Sequence, residues 1–264
     1  LKARGLDVRT VKPRDWRIDL ADMEKVIDKK TKLVALSLVS YYNGFQHDLK
    51  AVCDLAHARG AHVYADIIQA AGAVPIDVRM SGVDFAACSS FKWLMGDFGL
   101  GFLYVREGLL DRVITRTQYG YEQTDDVAPH LLPADAPSSE PYTWTVMTDA
   151  GAHFQVGTMS YAALAALGQS LQHIQEVGVA NIQAQRQPLI DALQREMPRL
   201  GFAPLTPAGT TGPIVSFAMK DAERTAARLA RAKVIVGDSM NRLRVSPSVF
   251  NHQGDVDRLL EALS

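Results

Sequence analysis

Residues Leu33 to Val39 read LVALSLV, seven positions with a single polar side chain at Ser37. A run so short and so continuously apolar fits a strand buried on both faces, the kind found in parallel sheets with helices on each side. The following residues extend the pattern. Asp48 stands where a helix N-cap belongs, ahead of apolar positions at Leu49, Val52, Cys53, Leu55 and Ala56, and Gly60 ends that helix. His62–Ala65, Phe85–Cys88 and Phe102–Val105 supply further strands. Strand, helix, strand in this rhythm requires right-handed crossovers and defines a largely parallel α/β sheet.

The second half differs in texture. Residues 117–151 carry Pro129, Pro133, Pro137 and Pro141 with little periodicity, which predicts a long loop or lid. Two long helical patterns follow, Tyr161–Glu176 and Ala180–Leu200, interrupted at Gly178. Strand Ile214–Ala218, helix Ala222–Ala232, strands Val234–Val236 and Arg242–Val245, and helix Gly254–Leu263 then describe a small α+β unit. The expected organisation is a large domain over residues 1–175 and a small one over 176–264.

Charge narrows the function classes. Lys and Arg number 28 and Asp and Glu 29, for a net charge of −1, and 47% of residues are hydrophobic. Such a chain has enough apolar content to fill a core and no electrostatic bias toward nucleic acid. No apolar run approaches the roughly 18 residues of a membrane span. Cys53 and Cys88 are too few for a disulfide framework or a thiolate metal site, and predict two buried thiols in a reducing cytoplasm. No metal site is expected.

The chemistry concentrates between His62 and Val105. Asp66 and Gln69 fall at the carboxyl end of a predicted parallel strand, where open α/β sheets bind ligands. Lys92 follows another strand, between Phe91 and Trp93. Desolvation there would lower its pKa and leave a nucleophilic amine suited to imine chemistry with a carbonyl cofactor, while a lysine snorkelling past two aromatics is the plainer alternative.

Asp66, Gln69, Gly72, Pro75, Asp77, Val83-Asp84-Phe85, Ser89, Lys92-Trp93-Leu94, Gly96 and Gly99-x-Gly101 together resemble the pyridoxal-phosphate signature of the class V aminotransferase family. That family includes aminotransferases, cysteine desulfurases, selenocysteine lyases, kynureninases and isopenicillin-N-epimerase-like enzymes. Phe154-Gln155-Val156-Gly157-Thr158 and the ending Arg244-Val245-Ser246-Pro247 with Phe250-Asn251 and Asp255-Val256-Asp257 resemble further family segments. The resemblance implies a fold-type I pyridoxal-phosphate enzyme, with a mostly parallel large domain lacking its N-terminal part and a small α+β C-terminal domain.

It also implies roles for particular residues. Lys92 would form the internal aldimine and shuttle the substrate Cα proton, and Asp66 would pair with the pyridinium nitrogen. Gln69 would donate to the phenolate oxygen and Ser89 would contact the phosphate. Thr158 would reach the phosphate of a neighbouring subunit, making a homodimer with shared sites, or would cap the following helix. Arg244 would clamp the carboxylate of a small amino-acid substrate. Tyr41 stands three residues before Gly44, where many members have Asn, and would face the substrate.

Departures select among branches. Phe91 replaces the histidine common before the lysine, and Gly237–Asn241 holds no thiol where cysteine desulfurases carry their nucleophile. Tyr41 in place of Asn leans towards the kynureninase- and epimerase-like branches. Transamination is the leading expectation, with carbon–sulfur or carbon–carbon lysis and epimerisation as alternatives, and a non-catalytic fragment or interaction domain as the alternative of another class. The start at Leu1 is read as a cut edge, upstream of which the family places its phosphate cradle.

Overall fold

A computed structural model describes residues 2–110, 112–124, 145–239 and 241–264; part of the predicted lid, residues 125–144, lies outside these. Helices α1 (Leu20–Glu24), α2 (Leu49–His57) and α3 (Val78–Ser81) interleave with strands β1 (Leu33–Ser37), β2 (His62–Asp66), β3 (Phe85–Ser89) and β4 (Gly101–Val105). The strands lie in the order β1-β2-β3-β4. The first two pairings are parallel, and β4 returns antiparallel to β3. Helices α4 (Ala150–Phe154), α5 (Tyr161–Val177) and α6 (Val179–Glu196) follow. Helix starts are set locally by capping carboxylates and hydroxyls. Asp48 Oδ1 accepts from Ala51 N at 3.0 Å, Asp149 Oδ1 from Ala152 N at 2.7 Å, and Ser160 Oγ from Ala163 N at 3.3 Å.

One face of the sheet, with Val63, Ala65, Ala86 and Cys88, packs with Val52, Cys53 and Ala56 of α2 and Leu167 and Ile174 of α5 in one core. The other face is more open, and the double burial expected of β1 does not occur. Leu33 is 50% exposed and Leu103 40%. β1 is the edge strand of the described sheet, so its apolar residues alternate between a covered and an uncovered side.

The C-terminal unit adds β5 (Val215–Ala218), α7 (Ala222–Arg231), β6 (Gly237–Ser239), β7 (Arg242–Val245) and α8 (Gln253–Leu263). Its sheet has the order β5-β7-β6 and is antiparallel throughout. Phe217, Leu243, Ile190, Leu193, Leu229 and Leu259 share its core. β6 starts three residues later than the Val234–Val236 expected from sequence. Val234 and Val236 pack against the core, Ile235 points to solvent at 97% exposure, and ladder pairing begins where Gly237 meets Arg244. No helix among the described residues is long and apolar enough to cross a membrane.

The two units meet along the turn after β1, where four consecutive carbonyls are gripped by side chains of the second unit. Arg244 Nη1 donates to Tyr41 O at 3.3 Å, and Ser216 Oγ and Arg242 Nη1 donate to Tyr42 O at 2.7 and 3.1 Å. Thr206 Oγ1 donates to Asn43 O at 2.7 Å and Thr210 Oγ1 to Gly44 O at 3.1 Å. The buried Asn43 returns the contact, its Nδ2 donating to Leu205 O at 3.0 Å and to Trp16 O at 2.6 Å. Gly44 has φ of 74°, and a Cβ there would stand 1.8 Å from the Ile214 carbonyl oxygen. Gly44→Ala is therefore expected to destabilise the protein by about 2–3 kcal/mol, combining a left-handed backbone with a clash against main chain. A fall in thermal midpoint of several degrees would register it, and an unchanged midpoint would show that the turn yields.

Candidate active site

The site lies where β2 and β3 end. Asp66 closes β2 opposite Ser37 of β1 and Ala87 of β3, at the carboxyl edge of the parallel strands. Its Oδ1 accepts from Ile68 N at 2.9 Å, which turns the chain after the strand and leaves Oδ2 without a partner among the described residues. The turn continues to Gly72, whose φ of 82° and missing Cβ let it lie against the Trp93 main chain; a Cβ would sit 2.6 Å from Trp93 O. This close approach presses the Asp66–Gly72 turn onto the segment that carries Lys92.

Lys92 is partly buried, and its Nζ lies 5.8 Å from the Phe91 ring centroid. Burial pulls its pKa below the ordinary lysine range. Asp66 pushes back toward the charged form, Arg244 reinforces the lowering, and Cys88 opposes it. Lys92, Asp66 and Arg244 thus share one electrostatic neighbourhood although they approach it from β2, β3 and β7. Trp93 Nε1 donates to Gln69 Oε1 at 2.9 Å.

Arg244 is partly buried and reaches across to Tyr41 O through Nη1, while its Nε is buried without a partner. The Tyr41 side chain is 58% exposed. Next to it, Arg242 is buried, with its guanidinium carbon 3.9 Å from the Tyr42 ring centroid, and Tyr42 stacks on Trp16 at 5.8 Å. Arg242, Asn43 and Trp16 carried no sequence signal. Their partners are up to 200 residues away, and no local motif marks them.

Ser89 and Asp66 line a cleft of about 610 Å³ on the open face of the sheet, shared with Tyr64, Ala87, Leu103 and Phe154. Thr158 is exposed and hydrogen-bonded to the Tyr121 hydroxyl, and no hydrogen bond among the described residues joins it to Lys92, Asp66 or Gln69. The cap of α5 is Ser160, so Thr158 does not serve as that cap. Cys53 and Cys88 are both buried, and burial pushes their thiols up to about 12 and about 11. No group of three or more His, Cys, Asp or Glu that could hold a metal ion occurs among the described residues.

Behind the site, at the start of β3, Asp84 is fully buried and accepts five hydrogen bonds. They come from His57 Nε2 at 2.7 Å, His62 Nδ1 at 3.2 Å, Val63 N at 2.8 Å, and Arg106 Nη2 and Nε at 2.6 and 3.1 Å. Burial alone would raise its pKa, but the donors outweigh it and hold the carboxyl at about 2.

The sequence matches the family described as Aminotransferase class-V over residues 1–259, and the chain belongs to that family. An uncharacterized aminotransferase, YcbU of Bacillus subtilis (strain 168), is 26% identical over 253 residues, covering 95% of this chain and 64% of that protein. A probable cysteine desulfurase of Methanothermobacter thermautotrophicus is 30% identical over 184 residues, 69% of this chain and 42% of that protein. The apo structure of a cysteine desulfurase from Thermococcus onnurineus NA1 superposes with a TM-score of 0.82 at 25% identity, covering 97% of this chain and 65% of the other. The chain therefore spans less than two-thirds of the length of these relatives. Its architecture is the α/β fold of the fold-type I pyridoxal-phosphate enzymes.

The residues present fit that cofactor. A desolvated lysine suits a carbonyl group, Asp66 keeps one carboxylate oxygen for a ring nitrogen, and the Gln69 amide nitrogen has no partner among the described residues.

Proposed function

We propose that the protein carrying this chain is a pyridoxal-phosphate-dependent enzyme that acts on a small amino acid, with transamination as its reaction. The observation that carries this reading is the placement of Asp66 at the end of β2 and Lys92 after the adjacent β3, with the two segments pressed together where Gly72 meets the Trp93 main chain and Arg244 near enough to act on the lysine charge. Pyridoxal phosphate, when bound, supplies the electron sink for charge that develops at the substrate Cα.

Each residue then has a task. Lys92 anchors the cofactor and, as an amine whose pKa burial has lowered, takes and returns the Cα proton. Asp66 offers its free carboxylate oxygen to the ring nitrogen and keeps that nitrogen protonated. Gln69 donates from its amide nitrogen to the phenolate oxygen, and Ser89 offers a hydroxyl to the phosphate. Arg244 grips the substrate carboxylate through its planar fork, beside Tyr41. Thr158 serves the phosphate of the neighbouring copy in a homodimer with shared sites.

Desulfuration is the second reading, favoured by the desulfurases among the relatives. It requires an accessible nucleophilic thiolate. Burial of Cys53 and Cys88 holds both thiols protonated at neutral pH, and the Gly237–Asn241 stretch contains no cysteine. The test is product analysis of the cofactor-loaded protein given amino acids with a 2-oxo acid acceptor, and separately given cysteine. The expected result is a new amino acid made from the acceptor. Alanine from cysteine, with its sulfur released as sulfide by an added thiol reductant and with no amino transfer, would overturn transamination in favour of desulfuration.

A further inference from the structure

We infer that Trp93 is a positioning residue that fixes which end of the Gln69 amide faces the active site, an inference that rests on the cofactor reading above. An amide side chain has an accepting oxygen and a donating nitrogen of nearly equal shape, so an unconstrained glutamine can present either. An indole N–H only donates. Trp93 Nε1 stands 2.9 Å from the Gln69 side chain, so the atom it meets must be the oxygen, and the NH2 is left as the outward end.

Three features make this a built arrangement. Gln69 is only 6% exposed, so flipping the amide would set two donors against each other where water cannot relieve them. The nitrogen has no hydrogen-bond partner among the described residues and is not sealed in the interior, so it remains available to a ligand. The register of the two segments is fixed by main chain, since Gly72 lies against the Trp93 carbonyl. The indole also follows Lys92 directly, so the residue that orients the amide is covalently tied to the residue that anchors the cofactor.

The chemical consequence is a committed donor toward the phenolate oxygen. A donor there stabilises the form in which that oxygen bears the fuller negative charge, which is the form that has lost its proton. In the holoenzyme, Trp93→Phe keeps an aromatic ring and removes the N–H. The pH midpoint of the bound cofactor's visible absorption change is expected to rise by about one unit, the size of one hydrogen bond to a charged group. Gln69→Ala should raise it similarly, and adding Trp93→Phe to Gln69→Ala should produce no further shift. Equal shifts from Trp93→Phe in both backgrounds, or none in either, would overturn the inference.

A second measurement needs no cofactor. The Trp93 indole N–H resonance of the cofactor-free protein should move and lose protection from hydrogen exchange in Gln69→Ala. An unmoved, equally protected resonance would show that the contact does not exist in solution. Absence of any cofactor band in the unsubstituted protein would instead count against the cofactor reading, and the resonance would still decide the contact.

Discussion

Lys92→Ala is expected to abolish the visible absorption band that the protein develops with pyridoxal phosphate, and to lower amino-acid turnover by at least about 10⁴-fold. In the proposed mechanism the amine is at once the covalent anchor and the proton carrier, and proton transfer alone contributes up to about 10⁴-fold. The substitution removes a side chain that is partly buried but makes no hydrogen bond or ion pair among the described residues, so the fold should tolerate it. Far-ultraviolet circular dichroism of the variant should match the parent. A variant that keeps the band would place the anchoring amine elsewhere and remove the centre of the proposed mechanism.

Asp84→Ala is expected to produce the largest loss of stability, about 3–5 kcal/mol, because it strips a buried charge from partners that remain. Arg106, His57 and His62 would be left facing an apolar hole at the base of β3, and Val63 N would lose its acceptor. Urea unfolding at neutral pH would read the change as a lower midpoint with an unaltered slope. The pH dependence has a definite sign. The folded carboxyl, at about 2, lies below the ordinary 3.8, so its contribution is complete above about 3.8 and is lost as pH falls toward 2. The variant should lack this component of acid destabilisation, and its stability curve should approach the parent's at the acid end. Parallel curves down to that range would show that Asp84 contributes nothing through its charge.

Both residues were present in the sequence, but only one was legible there. Lys92 stands out through the family pattern that its surrounding motifs resemble. Asp84 belongs to a Val-Asp-Phe triplet of the family pattern that gave it no role, and its meaning comes from His57, His62 and Arg106, which lie 22 to 27 residues away. The same division holds for the fold. Alternation of apolar strands with capped helices is a local pattern, so β2, β3, α2 and α5 follow from it nearly to their ends. The Val234–Val236 run looked like a strand because β-branched residues favour one, yet the ladder starts at Gly237 because pairing with β7 decides the register. LVALSLV looked doubly buried because composition does not say whether a second layer is there.

Within the site, motif positions and their setting separated in the same way. Asp66, Gln69, Lys92 and Arg244 were candidates because their motifs resemble those of the family. That Trp93 holds Gln69, and that Arg242 lies against Tyr42 while Arg244 holds Tyr41 O, required the packing of segments distant in the chain.

The turn at Tyr41–Gly44 has one consequence for how such a site changes over time. Side chains of the second unit hold its carbonyl oxygens, and every amino acid supplies a carbonyl. Tyr41 projects a largely solvent-exposed ring, 6.0 Å from the Arg242 guanidinium carbon, from a backbone whose carbonyl Arg244 holds. Position 41 can therefore mutate at little cost to the joint between the units, whereas Gly44 cannot. If the proposed function holds, selection for a new amino-acid preference would have a variable position beside Arg244, on a backbone that the rest of the protein keeps still.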